Sequence, residues 1–352
     1  MNVLFCAGGT LGHIYPALSI IDEYKRKRPN DTIYFITTKK DMAYLNQINH
    51  NIDYIYTYDA LGINKNIFKL IKAIFKNIIT YYNILKLLRK LKIKVVIGMG
   101  GYISGIVIKA AHKLKIKTVV HEQNSVIGRS NKMVLKMVDI FFTTYKMKNY
   151  HQAQYMVGNP RYDEVSKKLN MKVKNKRHIL ITSGTNGAQA INNLAIAFLN
   201  SSDSLNYFIT LVTGKKYYDD VVSKVKNKSN CNIIAFSNNM IELINNSGIV
   251  ISRSGSTTIS EILALKAIPI LIPSVNVTNN HQYYNALEIV NENIGVIIEE
   301  KDLSLKTLIN KLNEISTNYD NYLNNLDKYK SKNNLNLMIN NIIKLGESND
   351  KY

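Results

Sequence analysis

Gly8-Gly9-Thr10-Leu11-Gly12-His13 follows a short apolar run and leads into a helical pattern that begins near Pro16. Glycines and backbone N–H groups gathered at a helix N-terminus form an anion cradle, because those N–H groups lack intrahelical acceptors and the helix dipole favours negative charge. The same residues also suit a tight strand-to-helix turn that binds nothing. The glycines do not follow G-x-G-x-x-G, and no acidic residue clearly ends the second strand, so a dinucleotide site is not indicated. His13 places a titratable imidazole beside the loop, suited to general base chemistry near neutral pH.

Comparable turns end later strands: Gly98-Met99-Gly100-Gly101-Tyr102-Ile103-Ser104-Gly105 and Ser183-Gly184-Thr185-Asn186-Gly187-Ala188. Their recurrence in both halves exceeds what chain reversal needs and points to a site for several phosphates. Ser252-Arg253-Ser254-Gly255-Ser256-Thr257-Thr258-Ile259-Ser260-Glu261 admits two readings. Its hydroxyls and glycine could dock a diphosphate at a helix start, or Thr258 and Glu261 could form a local capping box. Asn280-His281-Gln282-Tyr283-Tyr284-Asn285 offers amide and imidazole groups suited to sugar hydroxyls.

The elements that must position these residues are short apolar runs alternating with longer helical patterns. Residues 3–7, 32–37, 94–99, 117–121 and 140–144 read as strands, and the rhythm restarts at 178–183, 207–212, 232–236, 248–252, 268–272 and 295–299. Alternation of this kind signals parallel βαβ units. The charged, irregular stretch from Arg161 to Arg177, introduced by Gly158-Asn159-Pro160, reads as a linker with a boundary near Asp163. The expectation is an α/β chain of two Rossmann-like domains facing a cleft, 1–162 and 163–345, with ligand at the strand carboxyl ends. From Leu303 the sequence reads as helical and polar, fraying from Gly346.

A chain of 352 residues exceeds what one core usually serves. Cys6 and Cys231 each lie in an apolar run, which fits buried thiols in a reducing compartment. No export signal is read at the start and no run of about 18 apolar residues occurs, so membrane contact is expected to be peripheral. Lys and Arg number 46 against 25 acidic residues, a net charge of +21 that attracts polyanions, though the wealth of Lys, Asn, Ile and Tyr also reads as compositional bias. Nucleic acid is not expected as a partner, since no recognisable binding module interleaves aromatic and basic residues.

The motifs together resemble the MurG family: GGTLGH at 8–13, GMGGYISG at 98–105, HEQN at 121–124, GNPR at 158–161, SGTNGA at 183–188, SRSGSTTISE at 252–261 and HQYYNA at 281–286, in the family's order. The resemblance implies a GT-B type glycosyltransferase. It would transfer N-acetylglucosamine from UDP-N-acetylglucosamine, with inversion, to undecaprenyl-linked muramoyl-pentapeptide in peptidoglycan synthesis, at the cytoplasmic face of the bacterial cell membrane. It also implies that Thr10, Leu11, Gly12 and His13 line the acceptor side near Tyr102 and Asn124, with Arg161 approaching from the hinge. Arg253, Ser256, Thr257 and Thr258 would face the nucleotide diphosphate, with Thr185 standing where the family usually has Ser. Glu261 would face the ribose, and Gln282 and Asn285 the transferred sugar. His13 is expected as the base or as a ligand to the acceptor's diphosphate. Leu11, Ser183 and Asn186 depart from the family's GGTGGH and GGSQGA patterns. No cofactor is implied, and no Asp-x-Asp metal motif occurs.

Two alternatives stand beside this reading: another UDP-sugar transferase or epimerase of the same fold, and a non-catalytic basic protein binding nucleic acid, which would leave HEQN and the glycine turns unexplained. A lipid-linked acceptor also gives meaning to the segment from Leu61 to Lys94. No acidic residue occurs between Asp59 and Glu122, while Lys65, Lys69, Lys72 and Lys76 recur at helical spacing ahead of Lys86, Arg89 and Lys90. With Ile67, Phe68, Ile71, Ile74, Phe75, Ile78 and Ile79 in the same period, an amphipathic helix on an anionic membrane surface is expected; an ordinary crossover helix is the alternative.

Overall fold

Near-continuous apolar runs such as Val3-Leu4-Phe5-Cys6 are what a parallel strand needs when helices cover both its faces. The computed structural model describes residues 1–62, 66–168, 174–184, 187–226, 229–329 and 334–348. The chain forms two units, Met1–Arg161 with Lys332–Tyr352, and Tyr162–Ser331.

The first unit carries β1 (Asn2–Cys6), β2 (Thr32–Thr37), β3 (Tyr54–Thr57), β4 (Val95–Gly98), β5 (Lys117–Glu122), β6 (Ile140–Thr143) and β7 (Gln154–Met156) in one sheet, order β3-β2-β1-β4-β5-β6-β7. Every pairing is parallel. Its helices are α1 (Leu11–Lys27), α2 (Lys39–Leu45), α3 (Ile67–Leu91), α4 (Gly101–Lys113) and α5 (Arg129–Val134), and α6 (Pro160–Lys168) follows. Strand residues alternate between two cores. Val3, Phe5 and Ala7 join α1 on one face, and Leu4 and Cys6 join α3 and α4 on the other.

The second unit places β8 (His178–Thr182), β9 (Phe208–Val212), β10 (Cys231–Ile234), β11 (Ile249–Ser252), β12 (Ile268–Leu271) and β13 (Val296–Ile297) in the order β10-β9-β8-β11-β12-β13, again parallel throughout. Around it run α7 (Gln189–Leu199), α8 (Tyr218–Lys224), α9 (Met240–Asn245), α10 (Ser256–Ala264), α11 (His281–Asn291), α12 (Leu305–Thr317) and α13 (Tyr319–Tyr329). In a doubly wound sheet, ligands collect where the strand order reverses. Here those points are the ends of β1 and β4 in the first unit and of β8 and β11 in the second.

Two differences from the sequence reading have physical causes. β3 and β7 are additional strands at the two edges of the first sheet; they are short and mostly not buried, so they lack the apolar run that marks a central strand. The last helix, α14 (Leu335–Glu347), packs in the first unit, not in the second where a 163–345 domain would include it. Leu335, Met338, Ile339 and Ile342 share the core of β1 and α1, Lys27 Nζ donates to Asn340 Oδ1 at 3.0 Å, and Arg28 pairs with Glu347 at 2.7 Å. An apolar stripe announces that a helix is covered, not by which sheet.

Candidate functional site

At the first unit's reversal point the loops after β1 and β4 touch. A Cβ on Gly101 would lie 2.1 Å from the Gly8 carbonyl oxygen, and Gly9, Gly100 and Gly101 have φ of +94°, +108° and +83°, so only glycine permits this contact. Thr10 is the N-cap of α1 in extended conformation, without a side-chain capping bond, and Leu11 and Gly12 open the helix. His13 lies in that first turn, its ring against Gly100, and Nδ1 lies 3.2 Å from the Gly8 carbonyl oxygen. A carbonyl only accepts, so the neutral ring carries its hydrogen on Nδ1 and its lone pair on Nε2. The Gly8 carbonyl thereby fixes the orientation of the ring.

The loop is not a simple anion cradle. The Gly9 N–H donates to Asp41 Oδ2 at 2.8 Å, and Asp41 is buried. The sequence reading missed Asp41; its one signal is the Thr38-x-x-Asp41 spacing, which reads as a helix start.

HEQN forms the wall beside this loop. His121 is fully buried, with Nε2 3.0 Å from the Gly158 carbonyl and Nδ1 3.2 Å from Gln123 Nε2. Burial is the main reason its pKa falls to about 4, with a smaller contribution from His13. Glu122 receives the Asn124 N–H (3.0 Å), Asn124 Nδ2 (3.1 Å), the Gly128 N–H (2.9 Å) and Asn131 Nδ2 (2.8 Å). Burial pushes its carboxyl upward against those four donors. Asn124 is thereby held half-buried at the end of β5. In GNPR, the Arg161 N–H donates to Asn159 Oδ1 at 3.1 Å, and the Arg161 guanidinium lies 4.6 Å from the centre of the Tyr15 ring on α1. Tyr102, second residue of α4, lines a cavity of about 370 Å³ with Arg129, Lys132 and Met133.

α3 has its apolar side outward. Ala73 and Thr80 are buried, Asn77 bonds both the N–H and the carbonyl of Leu61 (3.0 and 2.9 Å), and Thr80 Oγ1 donates to the Asp59 carbonyl at 2.8 Å. Among the described side chains of α3, it is those toward the far end, with Ile84, Leu85 and Leu88 buried, that enter the core. Phe68 is 80% and Phe75 67% exposed, with Ile71, Ile74, Ile78, Ile79 and Tyr82 also exposed. Lys76 is not an unengaged cation, since it pairs with Asp59 at 2.8 Å and holds that carboxyl below its usual range. Lys72, Lys86, Arg89 and Lys90 are exposed; Lys65 and the side chains of Ile67 and Lys69 lie outside the described residues.

In the second unit, a Cβ on Gly187 would lie 2.2 Å from the Thr213 carbonyl oxygen, so the turn after β8 closes against the end of β9. Thr185 and Asn186 lie outside the described residues. α10 starts at Ser256 with Gly255 as N-cap, which puts Thr258 at the third helical position and Glu261 at the sixth. A capping box needs its hydroxyl at the N-cap, so the helix register rules that reading out. Ser256 and Thr257 are buried in the first turn, Thr258 and Glu261 are half-buried, and the buried Ser254 hydroxyl has no protein hydrogen-bond partner.

Arg253, expected to face a diphosphate, is engaged otherwise: Nη1 donates to the carbonyls of Ile272 and Pro273 (both 3.2 Å) and Nη2 to Glu300 Oε1 (2.9 Å). Arg253 in turn holds the Glu300 carboxyl below its usual range. Gln282 Oε1 accepts the Ser274 N–H at 2.9 Å. Asn285, expected to meet the sugar, is fully buried and donates to the Ser254 carbonyl at 3.1 Å, bracing the turn that carries Gly255. Ser183, Gly187, Gln189, Arg253, Gln282 and Glu300 line one cavity of about 660 Å³. The structure therefore brings Arg253 and Gln282 together on one wall and places Asn285 behind it.

Residues 3–143 match the glycosyltransferase family 28 N-terminal domain and residues 178–341 its C-terminal domain. The chain is 36% identical over 332 residues to a UDP-N-acetylglucosamine–N-acetylmuramyl-(pentapeptide) pyrophosphoryl-undecaprenol N-acetylglucosamine transferase of Bacillus cytotoxicus, covering 90% of this chain and 91% of that one. It is 32% identical to the transferase of the same name from Finegoldia magna, over 94% of each chain. The crystal structure of Acinetobacter baumannii MurG shares the fold with a TM-score of 0.75 at 21% identity, covering 97% of this chain and 99% of that one. Across nearly the whole of its length, through both sheets and both reversal points, this chain belongs to the MurG family of glycosyltransferases.

Proposed function

We propose that the chain transfers N-acetylglucosamine from UDP-N-acetylglucosamine to a lipid-linked muramoyl-pentapeptide, with inversion at the anomeric carbon. The observation that carries this reading is the match, over nine-tenths of the chain, to relatives bearing that activity in their name. The first unit supplies the acceptor side. His13 Nε2 takes the proton of the acceptor hydroxyl as the oxygen attacks the anomeric carbon, and the bond from that carbon to the diphosphate breaks. Tyr102, Asn124 and Arg161 hold the acceptor. The second unit supplies the donor side, where the first turn of α10, with Ser256, Thr257 and Thr258, faces the departing diphosphate and its N–H groups stabilise the growing charge. Thr185 belongs to the same side. Glu261 takes the ribose and Gln282 the sugar, while Arg253, Glu300 and Asn285 shape the cavity behind them.

The outward apolar face of α3 supports peripheral attachment to the cytoplasmic surface of the membrane, with its cations toward anionic headgroups. No helix among the described residues is long and apolar enough to cross a membrane. The test of the activity is UDP release from UDP-N-acetylglucosamine with and without a lipid-linked muramoyl acceptor. Release that requires the acceptor is the expected result; release that ignores it would favour an epimerase-like reaction.

A further inference from the structure

α2 opens on Thr38, whose hydroxyl accepts the Asp41 N–H at 3.3 Å and donates to Asp41 Oδ2 at 2.6 Å. In a capping box the carboxylate at this third helical position reaches back to the N-cap's own N–H. Here Oδ2 receives the N–H of Gly9, 32 residues earlier, at 2.8 Å. The carboxylate thus ties the loop after β1 to the loop after β2, and Asp41 is only 1% exposed. The next carbonyl back along the chain, Gly8, is the one that bonds His13 Nδ1. Two successive glycines therefore carry both the anchor of the loop and the bond that sets the imidazole tautomer. A Cβ on Gly8 would lie 2.9 Å from Ile103 Cγ2 and 3.1 Å from Asp41 Oδ2, so the turn is packed closely against both side chains.

We propose that Asp41 is a positioning residue for the transfer reaction, fixing the Gly8-Gly9 turn so that His13 presents Nε2 to the acceptor hydroxyl. The inference rests on the activity proposed above. It also bears on which part of the acceptor meets the turn. A phosphate would have to displace the Asp41 carboxylate from the Gly9 N–H, so the turn is matched to a hydroxyl of the acceptor, with His13 as its base.

The test compares Asp41→Ala with Asp41→Asn, whose amide oxygen still accepts from Gly9. Asp41→Ala should lower kcat by about tenfold or more, the scale on which small misplacements act, with the KM for UDP-N-acetylglucosamine unchanged within about twofold. Asp41→Asn should restore most of kcat. An Asp41→Ala enzyme with wild-type kcat, or an Asn variant as slow as the Ala variant, overturns the proposal. If Asp41→Ala does not fold, Thr38→Val carries the test, because it removes one hold on the carboxylate: a reduced kcat at constant donor KM supports the role, and an unchanged kcat overturns it. Amide hydrogen exchange at Gly9, read without substrate, separates this idea from the activity. Exchange should be slow in the wild type and in Asp41→Asn and fast in Asp41→Ala; equal rates in all three would remove the anchor even in an active enzyme. A wild type without acceptor-dependent transfer but with this exchange pattern would instead sink the proposed activity.

Discussion

His121 Nε2 donates to the Gly158 carbonyl at 3.0 Å, joining the end of β5 to the turn that leads into α6. With Nδ1 facing the Gln123 amide, the buried ring is neutral, and burial holds its pKa down to about 4 from an ordinary 6.5. Between those values the unfolded chain binds a proton that the folded chain does not, so stability rises with pH across the window and falls as acid is added. The loss from pH 6.5 to pH 4 should be about 3 kcal/mol from this group, by the free energy of each pKa unit. Urea unfolding at several pH values checks this, with His121→Gln expected to flatten the slope. The same slope in the variant would assign the acid sensitivity elsewhere.

Because α10 begins at Ser256, Glu261 lies in the second turn and does not cap the helix. Glu261→Ala should therefore cost little stability, alanine being the stronger helix former, while weakening UDP binding by about tenfold or more. Calorimetric titration with UDP and a thermal melt, run on the same samples, separate the two effects. A lower melting temperature with unchanged affinity would return Glu261 to a packing role.

His13→Ala should reduce turnover by about 10² to 10⁴, the usual contribution of a general base, and leave UDP affinity within about twofold of wild type. Free imidazole added to the variant should recover part of the rate. Weakened UDP binding, or nearly full turnover, would remove His13 from the role of base.

The exposed face of α3 predicts co-sedimentation with vesicles that contain anionic lipid, declining as salt rises. Reversing Lys72, Lys86 and Arg89 to Glu should reduce binding by more than about tenfold, since each cation near such a surface contributes on the order of 1 kcal/mol. Replacing Phe68 and Phe75 by Ser should weaken binding at every salt concentration. Binding to neutral vesicles as strong as to anionic ones, or indifference to both sets of changes, would leave the face without a lipid partner.

Local residue chemistry is legible in a sequence because it repeats at short range. The alternation of apolar runs and helical patterns determined two parallel α/β units, and the glycine turns marked the strand ends where both sheets reverse order. Edge strands escaped, since Tyr54–Thr57 and Gln154–Met156 are too little buried to need an apolar signature. The remaining features depend on contacts between residues far apart in the chain. The helix register set the place of Glu261, and the packing of α14 on the first sheet could not be read from its stripe. Asn77 and Thr80 hold α3 through Leu61 and Asp59, which turns its apolar residues outward, whereas the same periodicity alone suits a helix buried on a sheet. The Asp41 carboxylate meets Gly9 only because β1 and β2 are neighbours in the sheet, and no pattern in either segment records that they are.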